Sequence, residues 1–453
     1  VRFDTGGLGW FWQFLDPQLL RQRLLESVFY QHSQPPLYNL FIGLMLKLFP
    51  GRLHLALFLL ALCGGWLLYL SLFYLQRKFG VSRLLAFITS TLFMASPSFI
   101  LYEQWLFYTF PLALLLTLSV FFLHQLLTRE SVRNGWGLFT CLLLLCGIQG
   151  TYHIAYFALI FAGLLVACST HRKTILMTGA LPFLLVFSLY AKNLILFGKF
   201  SASSWLGMNL AKVTIVDIPF HERQQMVAKG ILSHSALISP FSPVERYGTE
   251  LSQVSGFDNV PALRQPLKST GQINYNHLAY IGIADSYLRN SRAAIRHRPL
   301  YFRLGIQRAW TIYFHSSSDY HVFGPNHRRV EEVRRFYDRF LYGLHSGTHT
   351  CYILLAGLPM LFFYGCWKVL RPGTGKEALT SAQRVTLAYI CFNILYVALV
   401  GNTFDVGENN RFRFSTDPLS VILLGFCGQR LCAKVIVRLP QKVKNGSAGS
   451  QCE

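Results

Sequence analysis

The sequence predicts an all-α, polytopic membrane protein with one large helical domain outside the bilayer. Three observations carry that prediction. The 453 residues are 52% hydrophobic and only 14% charged, whereas a soluble domain carries about a quarter charged residues. Apolar runs recur at close to the roughly 20 residues that a helix needs to cross a bilayer. Between Gly198 and Thr350 that pattern gives way to a long polar stretch.

Taken in order, residues 1–53 form a first outer loop. It is polar and aromatic up to the Pro35–Pro36 pair and apolar over 37–49. Pro36 suits the opening turn of a helix, where its missing N–H has no partner to lose. Residues before a proline favour extended geometry, so 32–35 reads as a stiff strap. The run 37–49 is short for a crossing, so it reads as a re-entrant or interfacial helix. Residues 54–197 form the main transmembrane bundle, with spans expected at 53–75, 84–94, 107–127, 136–147, 154–167 and 175–197. Residues 198–350 form an outer domain, mostly helical, with loops near ISPFSPVERYG and SSSDYHVFGPN. Residues 351–435 hold the last spans, at 352–370, 385–400 and 418–435. A basic tail, 436–453, is expected to be disordered in the cytoplasm.

Loop charge sets the orientation. QRKFGVSR, TRESVRN, THRKT, RPGTGKEALTSAQR and the tail are short and basic, which places them in the cytoplasm. Residues 98–106, 150–153, 198–350 and 401–417 then lie outside. Residues 1–53 lie outside too, so the alternation expects a further span before Val1. The net charge of +22 is assigned to this bias and to anionic lipid rather than to nucleic acid. Ten cysteines are present, most of them in apolar runs, with none from Thr170 to Thr350 and no CxxC spacing. They read as small buried hydrophobes, not as disulfides or metal ligands. Arg289, Arg292, Arg296, Arg298, Arg303 and Arg308 fit either a solvated face over headgroups or a site for a phosphate or acidic acceptor.

The polar residues that could carry chemistry gather in the outer segments, beside apolar runs. Asp16, with Asp4 as a second choice, is the candidate acid of the first loop. Glu103 follows in SFILYEQWLFYTFP. Lys192 stands in AKNLILFGKFSASSW, and GENNRFRFSTDP holds Glu408, Asn410, Arg411, Arg413 and Asp417. Such a set suits transfer from a lipid phosphate. Arginine grips a leaving phosphate with a planar fork. A carboxylate can orient an attacking hydroxyl or amine and take its proton, and holding both ends does much of the catalytic work. Simpler roles stand beside these. Asp16 can cap the helix that follows it, Glu103 can be a headgroup-level acid, and Arg411 and Arg413 can be snorkelling anchors. His32 and His153 read as structural. GTGKE lacks the GxxxxGK[ST] spacing of a phosphate loop, and no nucleotide-sugar pattern occurs. No metal is obligatory, because arginine and lysine can neutralise the phosphate; a divalent cation between Asp16 and Glu103 remains open.

HSQPPLYNLFIGLMLKLFP, YEQWLFYTFP, AKNLILFGKFSASSW and ENNRFRFSTDP, in that order, resemble segments of the polyprenyl-phosphate-dependent glycosyltransferases of the GT-C superfamily. That group includes the protein O-mannosyltransferases and the lipid A aminoarabinose transferases. The resemblance implies a polyprenyl-phosphate-sugar donor and an inverting transfer at the outer face to a protein, lipid or glycan. It further implies a catalytic carboxylate in the first outer loop, here Asp16, with Glu103 as a second acid. Arg411, Arg413 and Lys192 would hold the donor phosphate, supported by Asp4, His32, Glu408 and Asn410. Two positions differ from the family pattern. Asp16 is followed by Pro17 rather than by a second acid, and Gln34 replaces the lysine common before Pro-Pro. The rival reading is a transporter or flippase for a lipid-linked sugar, but transporters usually carry midplane charges and paired repeats. The sugar, the acceptor and the choice between bacterial plasma membrane and endoplasmic reticulum stay open.

Overall fold

The computed structural model describes residues 2–129, 131–248, 251, 255–345, 348–371, 373 and 378–438. The tail beyond 438, with its Asn445 sequon, and most of GTGKE lie outside the described residues. Among those described, all regular structure is helical, with four isolated β-bridges.

The chain opens with α1 (Pro17–Gln22), α2 (Leu24–Phe29) and α3 (Leu37–Leu48), which pack on one another. Then come α4 (Leu53–Lys78), α5 (Arg83–Met94), α6 (Pro97–Glu103), α7 (Thr109–Arg129), α8 (Val132–Ile148), α9 (Ile154–Ala167) and α10 (Arg172–Phe197). The polar insertion carries α11 (Leu206–Thr214), α12 (Phe220–Ala228), α13 (Ala279–His297) and α14 (Pro299–Tyr313). The chain returns to the bundle through α15 (Tyr352–Leu370), α16 (Ser381–Phe404) and α17 (Asn409–Arg438). Five helices (α4, α7, α10 with the turn before it, α15 and α16) are long and apolar enough to cross a membrane. The pair α5–α6, bent by 60°, makes a sixth if it is one span. The protein is a helical membrane protein.

The bundle is built around α7, which packs against α4, α8, α16 and α17. Its Leu116, Val120 and Leu123 are fully buried. Hydrogen bonds add to packing where water is absent. Tyr156 donates to Asn393 at 2.6 Å, and Tyr389 to Ser119 at 2.9 Å.

A second core lies in the insertion, where Trp205, Met208, Tyr280, Ile283 and Tyr287 pack together. Here α11 is wedged between α13 and α14. Two glycines permit the close approach: a Cβ at Gly207 would meet the Ala284 carbonyl oxygen at 1.8 Å, and one at Gly305 the Val213 oxygen at 2.1 Å.

Of the nine spans expected, 136–147 and 154–167 fall on apolar helices of 17 and 14 residues, short for a crossing, and 418–435 falls on a helix outside the five. Two element boundaries also differ from the sequence reading. SPSF does not end a span in a loop. Ser96 caps a new helix with Pro97 in its first turn, so Glu103 ends a helix. Likewise, the last helix begins at Asn409, not near Pro418, and Pro418 lies inside it.

Candidate active site

One chamber, of about 470 Å³, opens where the insertion meets the bundle. Its wall is drawn from distant stretches: 12–13, 34, 108, 149–153, 200–212, 241 and 396–412. It has a charged pole and a neutral one.

The charged pole is set by the turn between α16 and α17. Asn409, fully buried, holds that turn. Its amide donates to Asn402 Oδ1 at 2.9 Å and to the Asp405 carbonyl at 3.1 Å, and its Oδ1 accepts from the Gly407 N–H at 3.0 Å. Asp405 then faces Lys212, brought from α11, at 2.5 Å. The Val406 N–H donates to the same oxygen, Oδ1, at 2.7 Å. Oδ2 of Asp405 makes no hydrogen bond to a described residue. Burial alone would lower the Lys212 ammonium, but Asp405 and Glu408 hold it above the ordinary lysine value.

Glu408 precedes the first turn of α17, where the helix N-terminus favours a negative charge. It pairs with Arg411 and accepts from the Tyr320 hydroxyl. Burial raises its carboxyl, yet Arg411, Lys212 and Tyr320 bring it below the ordinary carboxylate value. The Arg411 guanidinium lies 4.9 Å from the Phe107 ring centre and 5.5 Å from that of Tyr108. It is 3% exposed, and its Nε is buried without a partner. A buried, unsatisfied guanidinium N–H beside a cavity is a strong anion donor, because leaving it unpaired is costly.

The neutral pole is made by the uncharged wall residues Trp12, Phe241 and Trp205 with the side-chain amides of Gln13 and Gln34; Gln149 and Asn209 stand nearer the charges, Gln149 sharing a small adjoining cavity with Arg411 and Asn209 one turn before Lys212 on α11. None of those four amide groups bonds another described residue.

Of the nine residues expected at a site, Glu408 and Arg411 line this chamber. The other seven are engaged elsewhere. Asp16 caps α1, accepting from the Gln18 N–H at 2.9 Å, and clasps the insertion through the Ser269 N–H at 2.7 Å and the Ser269 hydroxyl. Asp4 closes a local turn with the Gly6 N–H at 2.8 Å. Glu103 accepts from Gln104 and lies against Gly65 of α4. Among the described residues, no group of three or more His, Cys, Asp or Glu side chains gathers as metal ligands would.

Lys192 donates to the carbonyls of Phe29 and Gln31 at 2.8 and 3.0 Å, and so tethers the strap. His32 is locked between Ser204 and the Asn276 carbonyl, and burial pushes its imidazole down to about 3. Asn410 donates to the Ser316 and Asp319 carbonyls. Arg413 turns away from the chamber to the Tyr313 and His315 carbonyls, the latter at 2.7 Å, and to Ser317 at 2.6 Å. The reason is helical: positions two apart on a helix do not share a face, and α17 already includes both arginines.

Compared with family models, curated proteins and solved structures, the chain matches none. The functional reading therefore rests on the chamber itself. Sequence reasoning missed Lys212 and Asp405. Asp405 stands in the same short loop as Glu408, and that proximity was the available signal. Lys212 sits in an unremarkable helix 193 positions away from its partner.

Proposed function

We propose that the protein is a membrane glycosyltransferase that moves one sugar from a polyprenyl-phosphate carrier to an acceptor at the outer face. The observation that carries the reading is the charged pole. Lys212 pairs with Asp405, whose second oxygen is unclaimed, and Arg411, which keeps one unpaired N–H, pairs with Glu408, inside a chamber at the edge of a membrane bundle. Arg411 and Lys212 would hold the donor phosphate. Asp405, rather than Asp16, would orient the acceptor hydroxyl and take its proton.

In the step itself, the acceptor oxygen bonds to the anomeric carbon from the face opposite the phosphate. The bond from that carbon to the phosphate oxygen breaks, and polyprenyl phosphate leaves with the electron pair. Fixed charges that need no rearrangement as the leaving phosphate develops charge are the main source of rate in such a site.

The test is release of polyprenyl phosphate from labelled polyprenyl-phosphate sugars by purified protein. Asp405→Asn should cut the rate by about 10²-fold or more. Arg411→Gln should raise the donor KM and lower kcat together. Wild-type protein that carries the lipid-linked sugar across a bilayer and releases no polyprenyl phosphate would establish the flippase instead.

A further inference from the structure

We infer that the neutral pole of the chamber is a seat for an uncharged pyranose ring, stacked on Trp12, which Phe241 backs, and held through its hydroxyls by side-chain amides. Its use in transfer rests on the glycosyltransferase reading; the seat itself stands on three observations.

The first is the platform. Trp12 stays 45% exposed while its ring stacks on Phe241, with centres 5.1 Å apart and planes 28° apart. Trp205 meets Phe241 edge-on at 5.2 Å from beneath. One face of a pyranose is a layer of C–H groups with slightly positive hydrogens, which suits the negative face of an aromatic ring. The second is backbone strain. Phe241 holds φ at 62°, a left-handed conformation that a bulky residue rarely adopts. Such strain collects at ligand clamps. The Tyr275 hydroxyl fixes it by donating to the Phe241 carbonyl at 2.7 Å.

The third is the unspent hydrogen bonding. Gln13, Gln34, Gln149 and Asn209 line the chamber with no side-chain bond to another described residue. Gln149 is only 7% exposed, yet its amide still reaches the chamber. An amide offers both donors and an acceptor, as neighbouring sugar hydroxyls require. Trp12, Gln13, Gln34 and Phe241 give this side of the wall no charged side chain, while both ion pairs come from α11 and the turn before α17. A neutral polyol matches that division; a phosphate or an acidic peptide does not.

The experiment titrates methyl glucoside and cellobiose into full-length protein in nanodiscs and reads tryptophan fluorescence, with glycerol as a control. Sugar should shift the emission saturably, and Trp66→Phe, on a residue facing away from the bundle, should leave that response intact. Trp12→Ala should abolish the shift. In saturation-transfer NMR the same substitution should weaken sugar binding roughly tenfold. Gln34→Leu and Asn209→Leu, closer in size, should weaken binding while keeping the wild-type Tm. A response that persists when polyprenyl-phosphate sugar is already bound assigns the seat to the acceptor. One that this donor displaces assigns it to the donor's own sugar. Saturable sugar binding without polyprenyl-phosphate release would keep the seat and remove the transferase. Release with no sugar response, or a response only to serine and threonine peptides, would overturn the seat.

Discussion

Single residues decide which arginine does what. Arg411 and Arg413 look equivalent along the chain, yet one lines a cavity and the other is consumed by carbonyls. Arg413→Gln should therefore act on stability. Asp417, 3.4 Å away, would lose its cation inside the protein, and breaking such a buried pair costs about 3–5 kcal/mol. The expected outcome is a lower Tm with an unchanged donor KM in the folded fraction. His32 makes a second residue-level prediction. Its folded-state value near 3 lies below the ordinary 6.5, so the unfolded chain takes up the proton first. The stabilisation is complete above about pH 6.5 and is lost as pH falls towards 3, worth ~5 kcal/mol over the window. A Tm measured from pH 7 to pH 4 should fall for wild type. His32→Gln should start lower and vary less over that range.

Elements show what a local pattern can and cannot convey. The strap was legible because proline geometry is local: α3 begins immediately after Pro36, as read. The start of α17 was not, because Pro418 resembled an opening residue. Proline is tolerated inside membrane helices when neighbouring groups satisfy the freed carbonyl, and the helix starts nine residues earlier. Asp16 had two readings, cap or acid, and it does cap α1. Its second duty, clasping Ser269 of the insertion, is a contact across 253 positions that no local pattern encodes. Asp16→Asn keeps a good capping side chain but removes the charge. Transfer activity should stay within a few-fold of wild type, while hydrogen exchange in 265–273 rises. Loss of activity like that of Asp405→Asn, at unchanged exchange, would return the catalytic role to Asp16.

At the scale of the whole molecule, the sequence conveyed the order of the apolar runs because each is a contiguous signal, but not the number that cross: nine were expected, and five, or six with the bent α5–α6 pair, are long and apolar enough. It could not convey the chamber, whose two ion pairs join α11 to the turn before α17 and that turn to its own helix. It did convey which loops are basic, and that yields the broadest prediction. Three helices have one end at the chamber and the other at a basic loop. α7 runs from Thr109, beside Arg411, to Arg129; its 21 residues span ~30 Å. α10 runs from Arg172 towards Phe200, and α16 from Ser381 to Phe404 at the chamber wall. If the basic ends are cytoplasmic, the chamber opens on the far side, where sugars are carried on lipid rather than on nucleotide. In a cysteine-free background, Gln13→Cys, Thr151→Cys, Ser203→Cys and Phe404→Cys should react with an impermeant maleimide supplied to the non-cytoplasmic side of sealed membranes. Ser82→Cys and Ser131→Cys should react only after permeabilisation. The reverse pattern would put the chamber in the cytoplasm, and a polyprenyl-phosphate donor presented from outside could not reach Arg411.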